Sequence, residues 1–316
     1  MQGWKFTTTN EPLKLVEQPD PVPAPDEVVI AVKAAGLCHT DVGILHDPSW
    51  LPLIKAPVIL GHECAGEIIK VGTDVKGFKI GDRVGVSPQN PETGQTIGCM
   101  RDGGYSDMCA VPANQLVPLP DEVSYVEGAS ATDAGMSSYH PLFITGKARP
   151  GMKIGIIGIG GLGEFAVNMG VIAGCEIYAV DTKASAREWA KNIGAKAAYE
   201  NISDLKKDEV ELIIDFAGFD TTTNEATQVV KAGGTVVVVG MGILHSTIDT
   251  GNLITRNITL IGNSGGTPED IANVYKYFQT GKMHLDLPTT TFDKIPEGLV
   301  SLEEGKVVGR LIASRQ

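Results

Sequence analysis

The chain has 316 residues, 42% of them apolar, more than one hydrophobic core usually serves, so two domains are expected. Acidic residues outnumber basic ones 38 to 26, giving a net charge of −12, and no run of Lys or Arg offers a track for a phosphate backbone, which argues against nucleic acid as a partner. No apolar stretch reaches membrane-spanning length, residues 1–5 lack the basic-then-apolar pattern of a secretory leader, and five scattered cysteines contain no C-x-x-C pair, so a cytoplasmic chain without a disulfide framework and without membrane contact is expected.

Residues 1 to about 135 read as short β segments at 27–34, 63–71, 83–86 and 105–111, separated by Pro- and Gly-rich turns, which predicts a β-rich first domain. Gly36-Leu37-Cys38-His39-Thr40-Asp41 follows the first segment, and Gly61-His62-Glu63 opens the second, so a thiol and an imidazole stand 24 residues apart at the edges of strands. That spacing suits ligands converging from separate loops. Cys and His together select a borderline-soft ion such as Zn²⁺, and a catalytic site needs about three protein ligands and one open position. Taken singly, Cys38 also reads as a small buried residue beside glycine and His62 as a core histidine.

From Lys153 the texture changes to apolar runs at 153–157, 176–180, 211–215, 235–239 and 258–261, with helical patterns between them. This alternation predicts a parallel sheet covered on both faces. Gly158-Ile159-Gly160-Gly161-Leu162-Gly163 follows the first run and opens an amphipathic segment to about residue 173, and Asp181 stands 18 residues beyond the last glycine. Strand, glycine turn, helix and acidic residue are what a dinucleotide site requires, although a glycine cluster alone does no more than turn a chain. Gly158 allows the tight turn, Gly160 lets backbone approach the pyrophosphate, Gly163 permits close helix packing, and the helix start at Gly161 and Leu162 offers unpaired N–H groups. Asp181 is placed to accept from the adenosine ribose hydroxyls and to repel a 2′-phosphate, favouring NAD over NADP, with Lys183 softening that repulsion. The tail reads as strands again at 289–292 and 308–313, so the expected division is 1–137, an inserted nucleotide domain 138–264, and a return over 265–316.

Together with Gly81-Asp82-Arg83-Val84 and the closing Glu304-Gly305-Lys306-Val307-Val308-Gly309-Arg310, these segments closely resemble the zinc-containing medium-chain alcohol dehydrogenases over nearly the whole chain. The resemblance implies an α/β protein with a GroES-like β-rich catalytic domain and a Rossmann doubly wound parallel sheet. It implies Cys38 and His62 as zinc ligands, with the third from residues 131–139, where Asp133 stands in place of the cysteine of many relatives. Thiolate plus carboxylate then balance Zn²⁺ against a neutral His62. Asp133 as a helix cap is the other reading. Glu63 is expected to bind zinc only when the open position lacks water or substrate, and Arg310, which in the family lies near the cofactor pyrophosphate, to pair with Glu63 between such events. Asp41 resembles the residue that orients the zinc-bound histidine, or else serves as a turn residue.

Two departures from the family pattern stand out. Residues 87–101 are short and hold only Cys99 where most relatives carry four cysteines around a structural zinc, so one catalytic zinc per subunit and no structural zinc are expected, with the loop held by packing or by a neighbouring subunit. Gly43 occupies the position of a proton-releasing histidine. Thr40 keeps a hydroxyl for the alcohol proton, and the later step falls to water, His39 or His46, although His39 also resembles a pyrophosphate contact. Gly262, Asn263 and Ser264 resemble the backbone that meets the nicotinamide carboxamide. Trp50, 12 residues before His62, resembles a tryptophan that narrows the substrate cleft, or fills the core of the β domain.

The activity implied is reversible hydride transfer between a primary or secondary alcohol and NAD, giving an aldehyde or ketone, in a homodimer or homotetramer joined through an edge such as 247–261. Two other readings compete. A zinc-free NAD(P)H-dependent quinone or enoyl reductase of the same superfamily needs no metal ligands, and a non-catalytic NAD-binding sensor needs neither those nor Thr40.

Overall fold

In the computed structural model, which describes residues 1–315, two strands precede the first one expected. β1 (Gln2–Phe6) and β2 (Lys14–Glu17) pair antiparallel with Gly3 opposite Val16. The sequence pattern missed them because β2 is short and mostly exposed, so it lacks the apolar alternation that marks a half-buried strand. β3 (Glu27–Gly36) follows, longer than expected because it is lined on both edges by other strands, and leads through Leu37 and Cys38 into α1 (His39–His46).

β4 (Val58–Ile59) adds to β1, while β5 (Cys64–Val71) and β6 (Arg83–Val86) extend the sheet from β3. The strand expected at 105–111 begins only at β7 (Met108–Pro112), because residues 103–105 instead run beside 59–61, with Gly103 N–H donating to the Ile59 carbonyl and Tyr105 N–H to that of Leu60. After β8 (Leu116–Pro118), helix α2 (Tyr125–Ser130) starts at a capping box in which the Ser124 hydroxyl accepts from Glu127 N–H at 3.2 Å and the Glu127 carboxylate accepts from Ser124 N–H at 2.8 Å. Reciprocal satisfaction of two end donors sets that start. A π-helical turn, Ala131–Gly135, continues from α2 before α3 (Met136–Tyr139).

The nucleotide-type half contains β9 (Lys153–Ile157), α4 (Gly163–Ile172), β10 (Glu176–Val180), α5 (Ala184–Ile193), β11 (Ala197–Tyr199), β12 (Leu212–Asp215), α6 (Asp220–Val229), β13 (Thr235–Val238), α7 (Thr250–Arg256) and β14 (Thr259–Gly262). Its strands are all parallel in the order β11-β10-β9-β12-β13-β14. Each crossover helix feeds the next strand, and the order reverses at β9, as in a doubly wound sheet. β11 escaped the sequence reading because three half-buried residues carry no periodic signal. α4, expected as amphipathic, is buried along Gly163 to Gly170.

The chain then forms α8 (Pro268–Gln279), β15 (Thr289–Thr290), α9 (Ile295–Glu303) and β16 (Ile312–Ser314), the last pairing antiparallel with β3, Ile312 opposite Gly36. Both tail strands are shorter than expected. A 3₁₀ turn at Phe292–Lys294 ends β15, and Gly309 at φ +71° delays β16.

Two units result: Met1–Ala134 with Thr267–Thr280 and everything from Asp286, and Gly135–Gly266 with Gly281–Leu285. The last short piece joins the second unit because the Asn168 amide donates to the His284 carbonyl and accepts from its N–H, both at 3.0 Å. The first unit's core gathers Ile30, Val32, Leu37, Ile44, Ile59, Leu60, Val84 and Ile97, among others. The second unit has a core around Ile157, Leu205, Ile213 and Val236. No helix among the described residues is long and apolar enough to cross a membrane.

Candidate active site

Three segments of the first unit meet behind the end of β3. Gly36 N–H donates to the Glu63 carbonyl and Leu37 N–H to the Leu311 carbonyl, so the loop holding Cys38, the loop holding His62 and the entry to β16 are fastened to one another by backbone. Asp133 arrives from the π turn after α2, a geometry often found where a helix presents a functional side chain. The result is that donor atoms of Cys38, His62 and Asp133 lie within 4.8 Å of one another, and among the described residues no other group of three such side chains is as close. His62 Nε2 is 3.5 Å from Asp133 Oδ2.

The cluster's surroundings fit a cation. Asp41 Oδ1, His62 Nδ1 and Glu63 Oε1 are buried without a hydrogen-bond partner among the described residues, although His62 Nδ1 faces Asp41 Oδ1 at 3.4 Å. Orphaned buried polar atoms are rare and call for an explanation. A thiol, an imidazole and a carboxylate form a donor set suited to Zn²⁺, and Asp41 Oδ1 stands where it would accept from the far ring N–H of a metal-bound His62.

Asp41 occupies the third position of α1, where its Oδ2 accepts from Cys38 N–H at 3.1 Å and caps the helix. The same oxygen accepts from the Tyr105 hydroxyl at 2.7 Å. The sequence reading placed Tyr105 at a strand start and gave it no role in the site; the Gly103-Gly104 pair before it was the available signal of a close backbone approach. Arg310 lies opposite. Its Nε donates to Glu63 Oε2 at 2.7 Å, its Nη2 donates to the same oxygen, and Nη2 reaches Asp133 Oδ2 at 2.6 Å. The second partner, Asp133, was not anticipated.

Charges decide the behaviour of this buried set. Burial opposes a charged His62, but Asp41, Asp133 and Cys38 outweigh it and raise the imidazole well above its ordinary pKa. Burial also opposes an ionised Asp133, yet His62 and Arg310 hold that carboxyl well below the usual range. Burial pushes Glu63 up to about 7 even though Arg310 pulls the other way. Without a metal, two carboxylates therefore share one guanidinium, and Asp133 also faces the His62 ring at 3.5 Å.

The remaining expected residues of this unit are distributed along α1 and the turn after it. His39 is exposed and Thr40 half-buried in the first turn. His46 sits in the last turn, exposed, with Nε2 3.4 Å from Glu303. Trp50 lies in the 3₁₀ turn Pro48–Leu53 and packs against the first unit's core. A Cβ at Gly43 would stand 2.8 Å from the Trp50 Nε1, so the absence of a side chain at 43 is what lets the indole lie against α1. Residues 87–101 are held by packing within the chain: the Gln115 amide donates to the Ser87 carbonyl at 2.7 Å and the Pro88 carbonyl at 3.0 Å, Arg101 pairs with Glu27 at 2.6 Å, and Ile97 is fully buried.

In the second unit the glycine loop follows β9 directly. Gly158 has φ +85°, the left-handed conformation that glycine adopts at no cost. A Cβ on Gly163 would collide with the Gly158 carbonyl, whereas one on Gly160 would meet no protein atom within 4 Å. Gly163 is therefore glycine for packing, whereas Gly160 is exposed and has no such reason within the chain, so its backbone is open to approach. Gly161 and Leu162 turn the chain into α4. Asp181 follows β10, and its carboxylate accepts from Ile159 N–H at 2.8 Å and Lys183 N–H at 2.7 Å, tying the second strand's end to the loop. Beyond β13 and β14, Asn263 accepts from the Thr145 hydroxyl at 2.6 Å and donates to the Gly265 carbonyl at 2.9 Å, fixing the stretch that holds Gly262 and Ser264.

Comparison with known proteins agrees with both units. The family "Alcohol dehydrogenase GroES-like domain" matches residues 24–121, and the family "Zinc-binding dehydrogenase" matches residues 161–280. An alcohol dehydrogenase of Geobacillus stearothermophilus is 32% identical over 312 residues, covering 90% of this chain and 91% of its own. Among solved structures, the acetophenone reductase of Geotrichum candidum in complex with NAD is 29% identical with a TM-score of 0.92, over 99% of this chain and 97% of that one. The cobalt- and zinc-bound thermostable alcohol dehydrogenase of Pyrobaculum aerophilum is 25% identical with a TM-score of 0.88, over 100% and 99% of the two chains. The 32% identity to the Geobacillus enzyme, sustained over some nine tenths of both sequences, together with the two family matches, means that the chain belongs to the zinc-containing medium-chain alcohol dehydrogenase family, with its GroES-like and Rossmann domains.

Proposed function

We propose that this chain is an NAD-linked, zinc-dependent alcohol dehydrogenase that interconverts a primary or secondary alcohol and its aldehyde or ketone. The observation that carries the reading is the convergence of Cys38, His62 and Asp133 donor atoms within 4.8 Å. A relative that reduces acetophenone and was solved with NAD, and another solved with zinc, support the same assignment.

Cys38, His62 and Asp133 would hold one zinc per subunit, leaving a fourth position open to substrate. When bound, zinc supplies the Lewis acidity that lowers the pKa of a hydroxyl, as it takes water from 15.7 to about 7, and NAD supplies the hydride acceptor. Asp41, aimed at His62 Nδ1, selects Nε2 as the ligating nitrogen. Arg310 neutralises Glu63, so that carboxylate adds no third negative charge while substrate is present. The Thr40 hydroxyl would accept the alcohol proton while giving up its own towards the nicotinamide ribose. Gly43 has no group to carry it further, and His46, seven residues along α1 from His39 or roughly 10 Å by helical rise, is paired with Glu303. His39 or water is the better placed carrier.

The Asp181 carboxylate, held at the end of β10, supports NAD over NADP through the ribose hydroxyls and repulsion of a 2′-phosphate. Gly158, Gly160, Gly161, Leu162 and Gly163 would bind the pyrophosphate, and Gly262, Asn263 and Ser264 the nicotinamide carboxamide. Trp50 restricts the substrate to a small or flat alcohol. β14 is the outer strand of its sheet with Ile261 and nearby Ile254 exposed, and an open apolar edge of this kind pairs with a second copy, giving a homodimer or a tetramer of such dimers. Five buried free thiols suit a reducing compartment such as the cytoplasm.

The test is metal analysis of the purified protein combined with NAD and NADP reduction by a panel of alcohols, before and after chelation. About one zinc per chain, NAD reduction with small alcohols, and loss on chelation are expected. Turnover of quinones or enones with NADPH in protein free of metal would replace this reading with the zinc-free reductase.

A further inference from the structure

Tyr105 is wholly buried, and its hydroxyl is the nearest protein donor to the carboxylate that faces the proposed metal ligand His62. The hydroxyl proton has two acceptors in range, the Asp41 Oδ2 at 2.7 Å and the Gly36 carbonyl at 3.2 Å. The shorter contact, to a charged oxygen, is the stronger. With Oδ2 held by Tyr105 and by Cys38 N–H at 3.1 Å, the carboxylate cannot rotate freely, and Oδ1 is left as the single oxygen turned to His62 Nδ1 at 3.4 Å.

Tyr105 is itself anchored to the backbone that carries His62. Gly103 N–H donates to Ile59, Gly104 N–H to Gly61 at 2.6 Å, and Tyr105 N–H to Leu60 at 3.0 Å. Gly61, at φ +95°, has no side chain because a Cβ there would press on the Tyr105 ring and its backbone nitrogen. One rigid strip of backbone therefore places both His62 and the phenol that fixes the orientation of its acidic partner.

We propose that Tyr105 is a positioning residue for the metal centre, acting through Asp41 on His62, so that tyrosine, Asp41 and His62 form one chain of orienting contacts. The proposal rests on the zinc reading above. A direct partner of a metal-bound histidine changes metal affinity by about 10–100-fold. One step further out, Tyr105→Phe is expected to weaken zinc binding about threefold to tenfold, to alter the visible spectrum of the cobalt-substituted protein, and to lower kcat more than it raises KM.

The decisive experiment is a double-mutant cycle on zinc affinity, measured by chelator competition, with Tyr105→Phe, Asp41→Asn and the pair. If the tyrosine acts through Asp41, removing its hydroxyl has little further effect once Asp41 is changed, and Tyr105→His, which returns a ring N–H donor, recovers part of the loss. Equal losses in both backgrounds, or a lower melting temperature with unchanged zinc affinity and cobalt spectrum, overturn the proposal while leaving the zinc site intact. If Tyr105→Phe does not fold, the comparison of Tyr105→His with the natural protein, alone and with Asp41→Asn, reads the same coupling. Failure of the natural protein to bind zinc overturns both this proposal and the function it rests on.

Discussion

Arg310 donates from Nε to Glu63 Oε2 at 2.7 Å in a fully enclosed setting, joining the entry of β16 to the loop before β5. The same guanidinium reaches Asp133 Oδ2 at 2.6 Å. One buried cation thus serves two carboxylates, and one of these is also a proposed metal ligand.

Replacing Arg310 by Met leaves the buried Glu63 without its cation and the half-buried Asp133 with His62 alone. Breaking a buried pair in this way costs about 3–5 kcal/mol. The deficit is expected in metal-free protein and should shrink when zinc is added, because both cations draw on Asp133. Urea denaturation with and without zinc reads the difference, and an identical deficit in both conditions would show that metal and guanidinium do not share that carboxylate.

Asp133→Asn keeps the shape of the side chain and removes its charge. Zinc then faces one thiolate and two neutral donors, and affinity is expected to fall by about 100-fold or more, beyond the effect of losing an outer contact. Asp133→Cys keeps the charge and should remain within about tenfold of the natural affinity. Chelator competition gives both numbers, and equal affinities for the Asn variant and the natural protein would remove Asp133 from the ligand set.

Glycines of the same loop should respond in opposite ways. Gly160→Ala meets no protein atom within 4 Å, so folding stability should stay within about 0.5 kcal/mol while NAD binding weakens at least about tenfold through obstruction of the pyrophosphate. Gly163→Ala drives a methyl group into the Gly158 carbonyl and should cost about 1–3 kcal/mol of stability. Thermal unfolding alongside NAD titration separates the two. Normal NAD affinity in Gly160→Ala would place the phosphates elsewhere.

Asp181→Ser removes the charge that faces the ribose and also loosens Ile159 N–H, which the carboxylate holds at 2.8 Å. The expected outcome is a shift of the NADP-to-NAD ratio in kcat/KM by about tenfold or more towards NADP, with about 1 kcal/mol of stability lost to the missing hydrogen bond. An unchanged ratio would mean that another group reads the 2′ position.

Much of this molecule was legible along the chain because its signals are local. The five apolar runs alternating with helices, and the glycine loop set directly after one of them, come from backbone and burial rules that act over a few residues, and they specified the parallel sheet. Short strands were not legible: β2 and β11 carry little or no alternation, and pairing with neighbours distant in sequence is what makes them strands at all. Cys38, His62 and Asp133 were readable as types of ligand, and their convergence was expected only through the family resemblance, because no local pattern fixes where the three loops meet.

By themselves, the residues determined the two-domain class, the nucleotide loop and the inventory of donor atoms, since each depends on local backbone preference or on side-chain chemistry that travels with the residue. Tertiary structure alone decided that Asp133 and His62 approach to 3.5 Å, that Arg310 spans Glu63 and Asp133, and that Tyr105 lies under Asp41. These contacts link residues 64 to 247 positions apart, and no one-dimensional pattern encodes them: they exist because backbone hydrogen bonds at Gly36, Leu37 and Tyr105 bring separate loops to one place.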